Sequence, residues 1–148
     1  MQNKYKIPTT ARAICLCLIR DYDRLVNLYH QRRNDILCLN STSVAAMSES
    51  GGISDKTADK AIRLEKIEEG WAARVVEAIE QSKLQIGEQI MSDEQRELLT
   101  ELIWESCLEL REFCFEQRRG KLRYEKAHFY RMRSMFLKRI AEKLGLIF

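Results

Sequence analysis

Arg118, Arg119, Lys121 and Arg123 crowd into one short stretch, and Lys126, Arg131 and Arg133 follow on the helix-forming segment after it. Guanidinium and ammonium groups at this density make no bonds of their own. Their chemistry is charge-assisted hydrogen bonding to oxyanions, above all to phosphate. Residues 117–148 hold ten basic and two acidic side chains, a net +8, so the rest of the chain carries −5. Such segregation points to a polyanion as partner of the C-terminal piece. The plainer alternative is a solvated face, or one paired with the acidic stretch that precedes it. Surface solubility is likewise the alternative to a phosphate clamp for Arg118, Arg119, Lys121 and Arg123.

Other chemistries find little footing. Carboxylates are plentiful over 88–116, but their helical spacing suits a solvated face, and an acid–base pair needs a perturbed member in a cleft. No Gly-rich phosphate loop or nucleophile elbow occurs, so a non-enzyme without cofactor is expected. His30 and His128 are too few for a structural zinc site, and Cys15 and Cys17 are not at CxxC spacing. The five cysteines, an odd number in apolar surroundings, read as reduced and buried thiols. Hydrophobic residues make up 45% of the chain, enough for a core, while 32% charged residues speak against a membrane protein. The apolar stretch near the start, roughly six residues, is shorter than the roughly 7–15 of a secretory signal. The expected location is the cytoplasm.

Helices must position the cations. Strand signals are nearly absent, and the expected class is all-α. Spacings of three and four mark a first helix over 11–38, with Leu18, Tyr22, Leu25, Tyr29, Arg32 and Ile36 on one stripe. The Ser- and Gly-rich residues 40–54 read as a flexible loop. Ser54 would cap a second helix over 55–86, with Gly70 inside it at a cost of roughly 1 kcal/mol relative to Ala and Gly87 as its stop. These two would pair as a long antiparallel hairpin of coiled-coil character, with Tyr22 and Trp71 as core anchors, making a region over 1–90. Ser92 opens a third helix whose buried stripe would be Leu99, Leu102, Ile103, Cys107, Leu110 and Cys114. It runs on to Gly120, or breaks near Leu110 to leave a short middle helix. The last helix spans 125–144, seated by Phe129, Met132, Phe136, Ile140 and Leu144 and stopped by Gly145. Helix, Gly-containing turn and cationic helix are the parts of a helix-turn-helix over 91–148. Arg131 and Arg133 point roughly 200° apart. Both cannot enter one groove equally, so at least one serves a phosphate or an internal carboxylate. Tyr130 either contacts a phosphate or packs at the turn, and His128 reads as a surface or packed residue.

The closing segment HFYRMRSMFLKRIAEKLGLI resembles the C-terminal signature of phage-encoded transcriptional regulators of the RinA/ArpU late-activator type, which have a sigma region 4-like helix-turn-helix. The matching residues are Phe129, Tyr130, Arg131, Arg133, Phe136, Leu137, Leu144, Gly145 and Leu146. IRDYDRLVNLY and SDKTADKAIRLEKIEE look similar as well. Relatives of this type show a distinct short second helix and a Ser or Thr cap, where this chain has EFCFEQRRGKLRYEKA with Tyr124 or Glu125 at the cap. The resemblance implies a sequence-specific DNA-binding regulator of phage or prophage genes in the host bacterial cytoplasm. Double-stranded DNA would be its target, RNA polymerase a further contact, and a homodimer its working form. The DNA-binding residues would be Arg118, Arg119, Lys121, Arg123, Lys126, Tyr130, Arg131 and Arg133. The competing expectation is a helical protein-interaction module whose basic tail binds an acidic partner.

Overall fold

The computed structural model describes residues 3–46, 53–68 and 70–147. Among these the regular elements are all α-helices: α1 (Thr9–Arg20), α2 (Tyr22–Ala46), α3 (Ile53–Glu68), α4 (Trp71–Leu84), α5 (Asp93–Leu108), α6 (Phe115–Arg118) and α7 (Lys126–Lys143). The class is all-α, as the periodicity indicates. None of these helices is long and apolar enough to cross a membrane.

Both long N-terminal helices expected from the sequence are broken. The first stops at Arg20, and Asp21 adopts φ −93°, ψ 1°, well off the helical ψ of about −42°. The chain re-enters a helix at Tyr22, so the apolar stripe read across 11–38 spans two elements. The face of α1 that is buried carries Ala11, Cys15 and Ile19, at a strict spacing of four, rather than Leu18. The second is broken at Gly70, where α3 has ended at Glu68 and α4 begins at Trp71. The loop expected over 40–54 is largely helical: α2 continues to Ala46 and α3 starts at Ile53, which puts Ser54 inside the helix rather than at its cap. Residues 47–52 lie outside the described ones.

The chain divides into two compact units, residues 22–76 and residues 1–21 with 77–148, and not at position 90. The unit of 22–76 contains α2 and α3, which pack on one another. Its Leu25 and Val75 are buried, whereas Trp71, expected as a core anchor, is 55% exposed.

In the other unit α1 packs against α5 and α7, and α5 against α7. Cys15 and Ile19 from α1, Leu99, Ile103 and Cys107 from α5, and Phe129, Phe136 and Ile140 from α7 are wholly buried. Each such aliphatic or Phe side chain contributes about 1.5–3 kcal/mol relative to an exposed position. Ser92 caps α5, its Oγ accepting from the Gln95 N–H at 3.4 Å. α5 ends at Leu108 and Glu109 turns extended, which establishes the short middle helix α6. Past that point helical spacing no longer governs burial, so Leu110 is 84% exposed and Cys114 is exposed too. Cys17 and Cys38 are exposed as well, so only Cys15 and Cys107 meet the expectation of buried thiols. Gly145, at φ +70°, ends α7. Its N–H bonds the Glu142 carbonyl and that of Leu146 the Ala141 carbonyl, the paired bonds of a Schellman stop.

Candidate nucleic-acid interface

The cations of interest sit on α6, on residues 119–125 that link it to α7, and on α7 itself. α6 is only 4 residues long, and the link is longer than the three or four residues of a helix-turn-helix turn. Its position is set from below by aromatic packing. The Phe129 ring lies 4.8 Å from Phe115 and 5.7 Å from Phe113, centroid to centroid. Leu122, midway along the link, is 2% exposed.

One glutamine sets the link's course. Gln95, on α5 and itself buried, donates through Nε2 to the Lys121 carbonyl at 3.1 Å and accepts at Oε1 from the Arg123 N–H at 2.8 Å. It thus takes both polar main-chain groups that flank the buried Leu122. With Leu122 turned inward and its neighbours' backbone clamped, Lys121 and Arg123 are both exposed. Nothing in the charge pattern singles out Gln95. A glutamine on an otherwise apolar helix face is the only sign of it in the sequence.

The eight residues expected to contact DNA fall into two groups. Arg118 is paired internally: Nη1 donates to Glu109 Oε1 at 2.7 Å and Nη2 to Glu105 Oε2 at 3.2 Å, and its guanidinium lies over the Phe113 ring. The hydrogen bond to Glu105 and the charge of Glu109 raise its already high pKa further. Arg119 donates through Nε and Nη2 to the Leu122 carbonyl and covers Phe115. Arg133 points inward and donates through Nε to Ser106 Oγ at 3.0 Å, and Ser106 is 3% exposed. Tyr130 donates its hydroxyl to the Phe113 carbonyl at 3.3 Å and meets Phe129 edge-on, so it packs at the turn. The polar atoms of these four are engaged by other groups of the chain, Arg118 at the surface and Arg133 against the buried Ser106.

Lys121, Arg123, Lys126 and Arg131 form the second group. All four are exposed, and their side chains have no hydrogen bond or ion pair among the described residues. Lys126 opens α7, whose N-cap Glu125 makes no side-chain bond to the first turn and which has no acidic residue there. The N-terminal end of α7 therefore keeps the partial positive charge of its unsatisfied N–H groups. Farther along, Lys138 donates to the Lys4 carbonyl, Arg139 to the Gln85 carbonyl and Lys143 to Gln85 Oε1. Those three cations hold the chain, while Lys121, Arg123, Lys126 and Arg131 present their charge to solvent.

Beneath this surface lies a polar seam in the core. Cys15 Sγ donates to the Leu137 carbonyl at 3.5 Å. Burial, and to a lesser degree Cys107, pushes the Cys15 thiol up to about 11. Burial raises Cys107 as well, with Arg133 acting in the opposite sense. Both thiols are thus held neutral, which removes the nucleophilic form. Among the described residues no group of three or more His, Cys, Asp or Glu side chains gathers where a metal could be held. The arrangement offers anion binding through exposed cations. No protein-family model, no curated protein and no solved structure matches this chain in comparisons of its sequence and fold.

Proposed function

We propose that this chain is a sequence-specific DNA-binding regulator of phage or prophage transcription, acting without enzymatic activity in the host bacterial cytoplasm. One observation carries the reading: Lys121 and Arg123, on a link whose backbone Gln95 fixes, and Lys126 and Arg131, in the first turns of α7, are exposed and unpartnered. Cations paired only with water cost little to bring to phosphate and release condensed counterions when they arrive. In this reading Lys121, Arg123 and Lys126 hold phosphates, while Arg131, on the outer side of α7, reaches base edges. Arg118, Arg119, Arg133 and Tyr130 shape the support and do not touch DNA. The resemblance of the closing segment to RinA/ArpU-type activators agrees with it, and a homodimer on a paired site with contacts to RNA polymerase belongs to the same proposal. The test is a footprint of the purified protein on the DNA flanking its own gene. Protection of one discrete site is expected, and no retention of any duplex at low salt would refute the reading.

A second reading is a protein-interaction module that binds an acidic helix through its basic face. The pairing of Arg118 with Glu105 and Glu109 favours it, since this chain already supplies acidic helical side chains to one of its own arginines. Retention of duplex DNA by the four outward cations separates the two.

A further inference from the structure

Next to the outward cations lies a cleft of about 330 Å³ between Tyr5, the turn over 85–90, Tyr124, and the flank of α7 formed by His128, Met132 and Met135. The far wall is pinned at both ends. Arg139 donates to the Gln85 carbonyl at 2.8 Å and Arg96 Nη2 to the Ile90 carbonyl at 2.6 Å. Gly87, at φ +70°, lets the turn close with the Ile90 N–H on its own carbonyl at 2.9 Å. A cleft walled by hydrogen-bonded main chain is preformed, so a ligand pays little to order it.

The near wall is aromatic. Tyr124 and His128 stack with centroids 4.8 Å apart and ring planes 21° from parallel. Both are half-buried, and the Tyr124 hydroxyl has no partner among the described residues. Met132 and Met135 add polarizable thioethers, which favour the faces and edges of aromatic rings. Gln89 and Glu88 bring hydrogen-bonding groups to the lining. The cleft therefore suits a flat, aromatic group with polar edges.

Its position says where that group would come from. Arg131 follows His128 by three residues and precedes Met135 by four, so helical spacing puts it beside both, at the lip. Arg123 and Lys126 flank Tyr124 and Glu125 in the chain. A nucleic-acid strand whose phosphates rest on Arg123 and Lys126, with Arg131 at its base edges, has its bases within reach of the stack. A paired base offers only its edge, so a base enters only when unpaired or turned out of the helix.

We propose that this cleft receives one unpaired nucleobase of the nucleic acid held by Lys121, Arg123, Lys126 and Arg131. The inference rests on the DNA-binding reading and names a feature of the target: an unpaired or easily extruded nucleotide beside the phosphates.

The experiment compares two duplexes of the same sequence, one fully paired and one with a single bulged 2-aminopurine. The bulged duplex is expected to bind about fivefold to a hundredfold tighter, the range that one base stacked on an aromatic side chain supplies, and its fluorescence to be quenched. Tyr124→Leu and, separately, His128→Ala are each expected to bring the bulged duplex down to the affinity of the paired one. Circular dichroism and thermal melting verify that each variant is folded, and the second serves if the first is not. Equal binding of both duplexes by the wild type, without quenching, overturns this inference and leaves the DNA-binding reading standing. Failure to bind either duplex at low salt overturns both. Occupation of the cleft by an acidic peptide with an aromatic residue, seen as tyrosine fluorescence changes that neither duplex produces, also overturns it.

Discussion

Two neighbouring regions carry the same residue types and use them in opposite ways. Arg118 and Arg119 at the end of α6, with Arg133 reaching in from α7, turn to carboxylates, a carbonyl and a buried hydroxyl. Along the link and the first turns of α7, Lys121, Arg123, Lys126 and Arg131 turn to solvent. The difference arises below the surface. Glu105 and Glu109 stand at the end of α5 facing Arg118, and Ser106 stands where Arg133 enters. Beside the outward group Gln95 takes main-chain atoms and leaves the side chains alone. A count of basic residues thus overstates the charge a partner can meet. Each cation's nearest acceptor decides whether it belongs to the fold or to the partner.

The largest effect should come from removing the outward group. Replacing Lys121, Arg123, Lys126 and Arg131 together by Ala should abolish retention of duplex DNA at moderate salt, with the thermal melt little changed. Among the singles, Arg131→Ala should weaken a specific site by about 1–3 kcal/mol, and random DNA by less. Equal loss on both would make Arg131 a phosphate contact.

The core beneath the inward group can be probed by pH. Burial raises the Cys15 thiol from 9.0 to about 11 in the folded protein. A raised acid favours the folded state while the thiol stays neutral in both states. That stability is whole below pH 9 and is lost as pH climbs through about 11, because only the unfolded chain ionises freely. The loss is of the order of 3 kcal/mol if the shift is fully expressed. Urea unfolding at pH 8 and pH 10.5 should show it. In Cys15→Ala part of the slope should vanish, and an unchanged slope would place the titration elsewhere.

Gln95→Ala removes no charge yet leaves the Lys121 carbonyl and the Arg123 N–H without their partner. A stability loss of about 1–3 kcal/mol is expected, with weaker DNA binding as the link loosens. Unchanged binding would mean that the four cations act without a fixed frame. Arg118→Ala, the smallest effect, should leave DNA affinity and its salt dependence as they were. A clear loss would move Arg118 into the outward group.

Much of this arrangement was legible in local spacing. Ser92 caps α5, Gly87 and Gly145 end their segments with positive φ, and Phe129, Phe136 and Ile140 form the inner face of α7. Each of these depends on residues within one or two turns. The misread features depend on something farther away. Periodicity runs through Asp21 and Gly70 unchanged, although a helix stops at or just before each. Leu110 keeps the rhythm of α5 but lies beyond its end. The site was harder still. Arg118 and Arg123 look alike in the chain, and only the carboxylates of α5 tell them apart. The pairing of Tyr124 with His128 and the grip of Gln95 on residues 26 and 28 positions away arise only once α5 and α7 are packed.

The salt dependence of duplex binding measures the outward group directly. Three phosphate contacts give a slope of log K against log salt of roughly −3, whereas all seven cations of the expected set would give roughly −6. The account predicts the shallower value, falling by about 1 with each of Lys121→Ala, Arg123→Ala and Lys126→Ala and unmoved by Arg118→Ala. The steeper value, or a slope that Arg118→Ala reduces, would contradict the division of the cations into inward and outward sets.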